Sequence, residues 1–272
     1  MLRFVATSLG PDFDELSSWT GMLSGMARGR PAASLRNPVK KSGGGTGAFL
    51  GMASDGRQYW IKVPDNPQGT QVLVNEVVVA AIGRLLDAPL RPTVLIAIPD
   101  SLSEWRVVPG MALRQGVAHG SEHLDQSEEN DTFEYRARDD NRARQASLVA
   151  LWDLCMGGDP QWLFDLANEY STWSFDHGLW LGGDGYWTRD SLERSCDLEW
   201  PWQETLSGLD RRVFSDFADR TAALTAQEIL SAISEVPVEW GTPDSELEAL
   251  AWFIYYRRTA TAQRLRALSE QN

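Results

Sequence analysis

Cysteine and histidine are scarce in this chain. Of 272 residues, only Cys155 and Cys196 carry thiols. Cys155 falls in an apolar, helix-like stretch, which excludes a disulfide scaffold and points to a reducing compartment. His119 and His123 have the spacing of a helical metal pair, but Gly120 and linker-like surroundings disfavour a helix there, and no cysteine is near. That argues against a zinc site. Basic charge is also in deficit: 25 Lys and Arg stand against 38 Asp and Glu, a net charge of −13. A general nucleic-acid or anionic-membrane binder would need a large basic face, so neither class fits. No segment reaches the roughly twenty apolar residues of a membrane span, and the first thirty residues lack an uninterrupted signal-peptide core. A cytoplasmic location follows by elimination, and no repeat period is visible.

What is present is a globular composition, 43% hydrophobic and 23% charged, in a chain long enough for one large domain or a two-lobed unit. Its organising stretch runs from Ser42 to Glu76. The glycine-rich run Gly43-Gly44-Gly45-Thr46-Gly47 sits between two strand-like segments, a second turn falls at Asp55-Gly56, and Tyr59-Trp60-Ile61-Lys62-Val63 is the return strand. Lys62 interrupts that strand, and Glu76 interrupts a helical segment apolar around its whole circumference. A buried ammonium and a buried carboxylate each cost several kcal/mol alone, so the economical arrangement is that they meet. The alternative is an ordinary glycine hairpin with a lysine that snorkels to solvent. A Gly-rich hairpin, a strand lysine and a helix glutamate, in that order, are the phosphate-handling parts of protein kinases. A Walker-type phosphate loop is disfavoured, because no Gly-Lys-Ser/Thr follows the glycines.

The run from Asp55 to Lys62, then Asn66-Pro67-Gln68-Gly69, Leu73-Val74-Asn75-Glu76 and Arg84-Leu85-Leu86-Asp87-Ala88-Pro89-Leu90, resembles the amino-terminal lobe of the HipA-like kinase family. Its short-form bacterial branch is the nearest in pattern, and the resemblance is continuous from about Gly43 to Ile98. It implies an α+β, two-lobed protein-kinase-like fold, with a small antiparallel-sheet N-lobe carrying one helix and a mostly helical C-lobe. It also implies ATP and Mg2+ as nucleotide and cation, and a hydroxyl acceptor on a protein or a small molecule. Lys62 would hold the phosphates under the loop of Gly43, Gly44, Gly45, Thr46 and Gly47, and Glu76 would orient Lys62. The expected division is an extension over residues 1–33 with no assigned chemistry, an N-lobe over 34–118 and a C-lobe over 119–272. Residues 2–5 read as a strand. Glu104 to Val108 reads as the strand that closes the small sheet, and Pro109-Gly110-Met111 with His119 to Glu122 as the linker between lobes. No residue pattern fixes an oligomeric state.

In the second lobe, Ala146 to Met156 carries apolar residues at helical spacing and should be a core helix. Trp162 to Phe164 and Thr172 to Leu181 read as strands, and Val213 to Leu224, Gln227 to Ile233 and Ser245 to Leu268 as helices. Asp159 resembles the family's catalytic aspartate, but Gly157 stands where the family's Asn-x-Asp motif has asparagine, and Phe164 where a metal-binding amide is expected. Gln161 could replace that amide. Asp176, in Ser174-Phe175-Asp176-His177-Gly178, looks like the family's metal-binding aspartate. Asp165 and Asn168 are further candidates, more simply read as loop solvation. The departures around Asp159 leave a second reading open, a nucleotide-binding pseudokinase with little or no phosphoryl transfer. A third is an interaction scaffold that no longer binds ATP.

Overall fold

The computed structural model describes residues 11–43, 45, 47–108, 110–182 and 185–271. Strands β1 (Ala33–Lys41) and β2 (Phe49–Ala53) pair antiparallel around the glycine-rich turn, which Ser42 N–H closes on the Ala48 carbonyl at 2.9 Å. The chain then reverses at Asp55-Gly56, where Gly56 takes φ +82°, a backbone conformation open to glycine. Strand β3 (Gln58–Lys62) returns beside β2. Helix α1 (Gln71–Leu85) follows, and every residue from Val72 to Gly83 in it is buried. A helix apolar on all sides must be enclosed on all sides, and this one packs against β7 on the sheet side and α5 on the other.

The sheet continues through β4 (Thr93–Ile98), while β5 (Arg106–Val108) and β6 (Met111–Ala112) form a separate two-stranded ribbon. This corrects the expectation that Glu104 to Val108 closes the sheet. The strand lying between β3 and β4 is β7 (Gly116–Glu122), part of which reads in the sequence as a linker. Its composition misleads for a steric reason. Gly120 faces a barrel interior so tight that a Cβ there would meet Ile96 Cδ1 at 2.4 Å, while His119 and Ser121 point to the opposite face. The barrel sheet therefore includes the chain to Glu122, and the five strands close as β1-β2-β3-β7-β4, the last contact being a short parallel pairing of Ala33 and Ser34 with Ile96 and Ala97.

Beyond the barrel come β8 (Ser127–Asn130), α2 (Asn141–Leu154), β9 (Trp162–Asp165) and β10 (Ser171–Ser174), with β9 central in a three-stranded sheet. The strand expected over Thr172 to Leu181 stops at Ser174 because Asp176 adopts φ +56° and turns the chain away. Helices α3 (Arg189–Ser195), α4 (Arg211–Ala223), α5 (Ala226–Ser234) and α6 (Asp244–Glu270) complete the larger lobe. A small apolar cluster fills the barrel, and a large one joins α1 to α2, α4, α5 and α6. The lobes are also stitched by backbone: Ser174 N–H donates to the Pro89 carbonyl at 2.9 Å and Arg91 N–H to the Ser174 carbonyl at 3.0 Å. Trp173 lies against both Arg91 and Arg144, whose guanidinium carbons are 5.1 and 4.3 Å from its ring centre.

The segment before β1 is a cap on α6. Trp19 and Leu23 are buried, Glu248 accepts hydrogen bonds from the Gly21 and Leu23 amides at 3.0 Å, and Trp252 Nε1–H donates to the Asp14 carbonyl at 2.8 Å. The strand expected at residues 2–5 lies outside the described residues. No described helix is long and apolar enough to cross a membrane.

Candidate active site

Three elements deliver the central charges. β3 ends on Lys62, the second turn of α1 carries Glu76, and the turn after β10 carries Asp176. Lys62 Nζ donates to Glu76 Oε1 at 2.5 Å and to Asp176 Oδ1 at 2.5 Å. The lysine and glutamate are almost fully buried, so they are a paired interior charge set rather than a surface ion pair. Burial alone would lower the Lys62 pKa, yet the Glu76 and Asp176 carboxylates outweigh it and hold the ammonium above its ordinary value. Burial would likewise raise Glu76, and Lys62 together with hydrogen bonding from His177 holds it well below the usual carboxylate range. His177 itself is a brace. Its backbone N–H donates to Glu76 Oε2 at 3.0 Å and its Nε2 lies 2.8 Å from Ser174 Oγ.

These groups sit in a cleft of about 530 Å3 between the lobes. Ala48, Trp60 and Leu124 contribute apolar wall from the barrel side, and Leu163, Phe175 and Leu179 from the helical side. Ser42 and Gly45 line its rim, where Gly45 lies close enough to Gln68 that a Cβ would be 3.4 Å from its amide nitrogen. Gly43 is exposed beside them, and Gly47 takes φ +63°. Gly44 and Thr46 lie outside the described residues.

Asp159 and Gln161 border the same cleft, joined by a hydrogen bond from Gln161 Nε2 to Asp159 Oδ2 at 2.8 Å. Asp159 shares with Asp176 a left-handed backbone, φ +50°, a conformation uncommon for residues other than glycine and often found at functional turns. The two departures from the family motif have packing causes. A Cβ at Gly157 would sit 2.2 Å from the Trp152 ring, so no asparagine fits there without moving the indole. Phe164 is fully buried, edge-on to Tyr135, and belongs to the core. Asp165 and Asn168 bind their own turn, accepting from Ala167 N–H and donating to Ser171 Oγ respectively, and neither lines the cleft.

Several residues of the cleft escape sequence reasoning. Ser127 and Glu129, on one face of β8, point into it. Burial and the neighbouring Asp176 and Asp159 carboxylates push the Glu129 pKa upward, which places the three acids within electrostatic reach of one another. The signal was an alternation, Ser127 and Glu129 two apart, too short and polar to stand out. His119 is 1% exposed beside Lys62, and neither ring nitrogen has a hydrogen-bond partner among the described residues; burial drives its pKa down to about 4. Cys155, by contrast, is a core thiol pushed up to about 12 by burial.

Residues 38–156 match the family model described as HipA-like kinase, which bears out the resemblance seen in the sequence. No curated protein matches the chain. Among solved structures, the Helicobacter pylori proinflammatory kinase CtkA aligns with a TM-score of 0.59 at 13% identity, covering 91% of this chain and 100% of that one. The Golgi casein kinase, in a structure with Mn/ADP bound, aligns with a TM-score of 0.43 at 11% identity, covering 94% of this chain and 76% of that one. The likeness to CtkA shows the fold: an α+β, two-lobed, kinase-like architecture.

Proposed function

We propose that this chain, HipA-like over residues 38–156, is an ATP-dependent phosphotransferase that moves the γ-phosphate to a hydroxyl acceptor, a protein Ser or Thr being the acceptor that the family implies. The observation that carries this reading is Lys62, held 2.5 Å from both Glu76 and Asp176 at the floor of the cleft between the lobes. A cation fixed by acids from both lobes is what phosphoryl transfer asks of a protein, since the chemistry needs positioning and charge compensation rather than a covalent intermediate.

The remaining roles follow from position. The apolar walls suit a base. The glycine turn from Gly43 to Gly47 would cover the phosphates with backbone amides. Asp176 and Gln161 would supply the oxygen ligands for Mg2+, a cation that prefers carboxylate and amide oxygens. The divalent cation, when bound, offsets negative charge on the phosphates. Asp159, at the open side of the cleft, would orient the acceptor hydroxyl. That oxygen forms the new bond to the γ-phosphorus, the bond to the β–γ bridging oxygen breaks, ADP departs, and the hydroxyl proton passes to Asp159 or water.

A second reading has its own observation. The Trp152 indole excludes the motif's asparagine at position 157, and Phe164 is locked in the core. A nucleotide-binding pseudokinase would keep Lys62, Glu76 and Asp176 and transfer phosphate slowly or not at all. Incubation of the purified protein with Mg2+ and labelled ATP separates the readings. Transfer that is lost in Lys62→Met and Asp159→Ala supports the kinase. A nucleotide-induced rise in Tm with no transfer supports the pseudokinase, and neither response removes both.

A further inference from the structure

Asn75 directly precedes Glu76 in α1 and is completely buried. Its side chain touches neither the cleft nor the Lys62 cluster. Instead Nδ2 donates to the carbonyls of Gly178, Trp180 and Gly185 at 2.8, 3.1 and 3.2 Å, and Oδ1 accepts from Trp187 Nε1–H at 2.8 Å. The indole is a pure donor, so the amide orientation is determined: oxygen to Trp187, nitrogen to the carbonyls. All four partners lie just beyond Asp176.

The contact is built to be close. A Cβ on Gly178 would lie 3.1 Å from Val72 Cβ, and one on Gly185 would lie 2.7 Å from the Gly178 carbonyl oxygen. Gln71 Nε2 also donates to the Trp187 carbonyl, and Tyr186 OH to that of Gln68, each at 2.5 Å. The start of α1 and the chain after Asp176 are thus one hydrogen-bonded unit, and the unit includes the His177 N–H bond to Glu76. From this we infer that Asn75 is a positioning residue. It holds the chain beyond Asp176 against α1, so that Glu76 and Asp176 face Lys62 together.

The inference builds on the phosphotransferase reading, but its test does not depend on that reading alone. Hydrogen exchange on the nucleotide-free protein should show α1 residues 72–79 and residues 176–180 protected together. Asn75→Ala should accelerate both segments, by roughly tenfold or more, and leave strands β1 to β3 unchanged. For transfer, Asn75→Ala should lower kcat by roughly tenfold or more with the KM for ATP altered far less, and in a Glu76→Gln background the same change should cost under about threefold. Equal losses in both backgrounds, or faster exchange in one segment only, would overturn the positioning role. If no form of the protein transfers phosphate, the phosphotransferase reading fails and the exchange pattern still decides for or against Asn75.

Discussion

Lys62 Nζ and Asp176 Oδ1 lie 2.5 Å apart although 114 residues separate them in the chain. One comes from the last residue of a barrel strand, the other from a turn of the helical lobe. Their meeting defines the cleft, and the consequences of that meeting can be measured.

Glu76→Ala removes one of the two acids from Lys62. Breaking a buried pair costs about 3 to 5 kcal/mol when the remaining charge is stranded. Asp176 stays as a partner here, so a loss near the lower end, about 3 kcal/mol, is expected in urea unfolding. A loss below about 0.5 kcal/mol, the ordinary range for a surface change, would refute the buried pairing.

His119 makes stability depend on pH in a defined window. Its folded pKa is about 4 against an ordinary 6.5, so the unfolded chain takes up the proton first. The contribution is fully present above pH 6.5 and is lost as pH falls toward 4, by about 3 kcal/mol in total. Glu76 has an ordinary value of 4.5 and a depressed folded pKa, so its own loss begins at lower pH. His119→Phe should therefore flatten the stability profile between pH 5 and 6.5; an unchanged slope there would mean that another group titrates.

Gly157→Asn places in the loop before Asp159 the asparagine that the HipA-like motif has at the matching position. The Trp152 ring occupies the space, and overpacking of this kind costs about 1 to 3 kcal/mol. The variant should melt lower and gain no transfer activity. A gain in rate at unchanged Tm would show that the indole moves aside freely.

Arg257 is 1% exposed and binds the carbonyls of Asp153, Leu154, Cys196 and Leu198. Arg257→Lys keeps the charge but cannot span those acceptors. The expected loss is about 3 kcal/mol, from carbonyls left unsatisfied in the interior, read as a shift in the denaturant midpoint at constant m. A shift within about 0.5 kcal/mol would show that water replaces the guanidinium.

The legible part of this molecule was the part under the harshest physical constraint. Lys62 and Glu76 stood out because charges in apolar segments demand partners, and the glycine turn and α1 followed from turn chemistry and periodicity. Asp176 could be named because Ser174-Phe175-Asp176-His177-Gly178 resembles the family's metal-binding motif, and an acid half-buried there needs a cation or hydrogen bonds. Strand β7 was obscure because its two faces serve different neighbours: small residues in the barrel, polar ones at the cleft. Ser127 and Glu129 were hidden for a similar reason, since a short polar strand looks like a solvated loop until something folds over it. Asn75, next to the most conspicuous acid in the chain, stood in the sequence only as part of the run Leu73-Val74-Asn75-Glu76, with no role attached, because an amide in a helix shows its worth only through carbonyls about a hundred residues away.

The barrel closes through only two residues of β1, Ala33 and Ser34, which leaves the rest of that strand's outer margin as the place where a foreign chain would try to add itself. Arg36, Lys40 and Lys41 on that strand are exposed positive charges in a protein that is otherwise strongly acidic. Nature commonly protects a sheet border in this way against runaway stacking. Partners of this lobe should accordingly be met by side chains, not recruited as an extra strand.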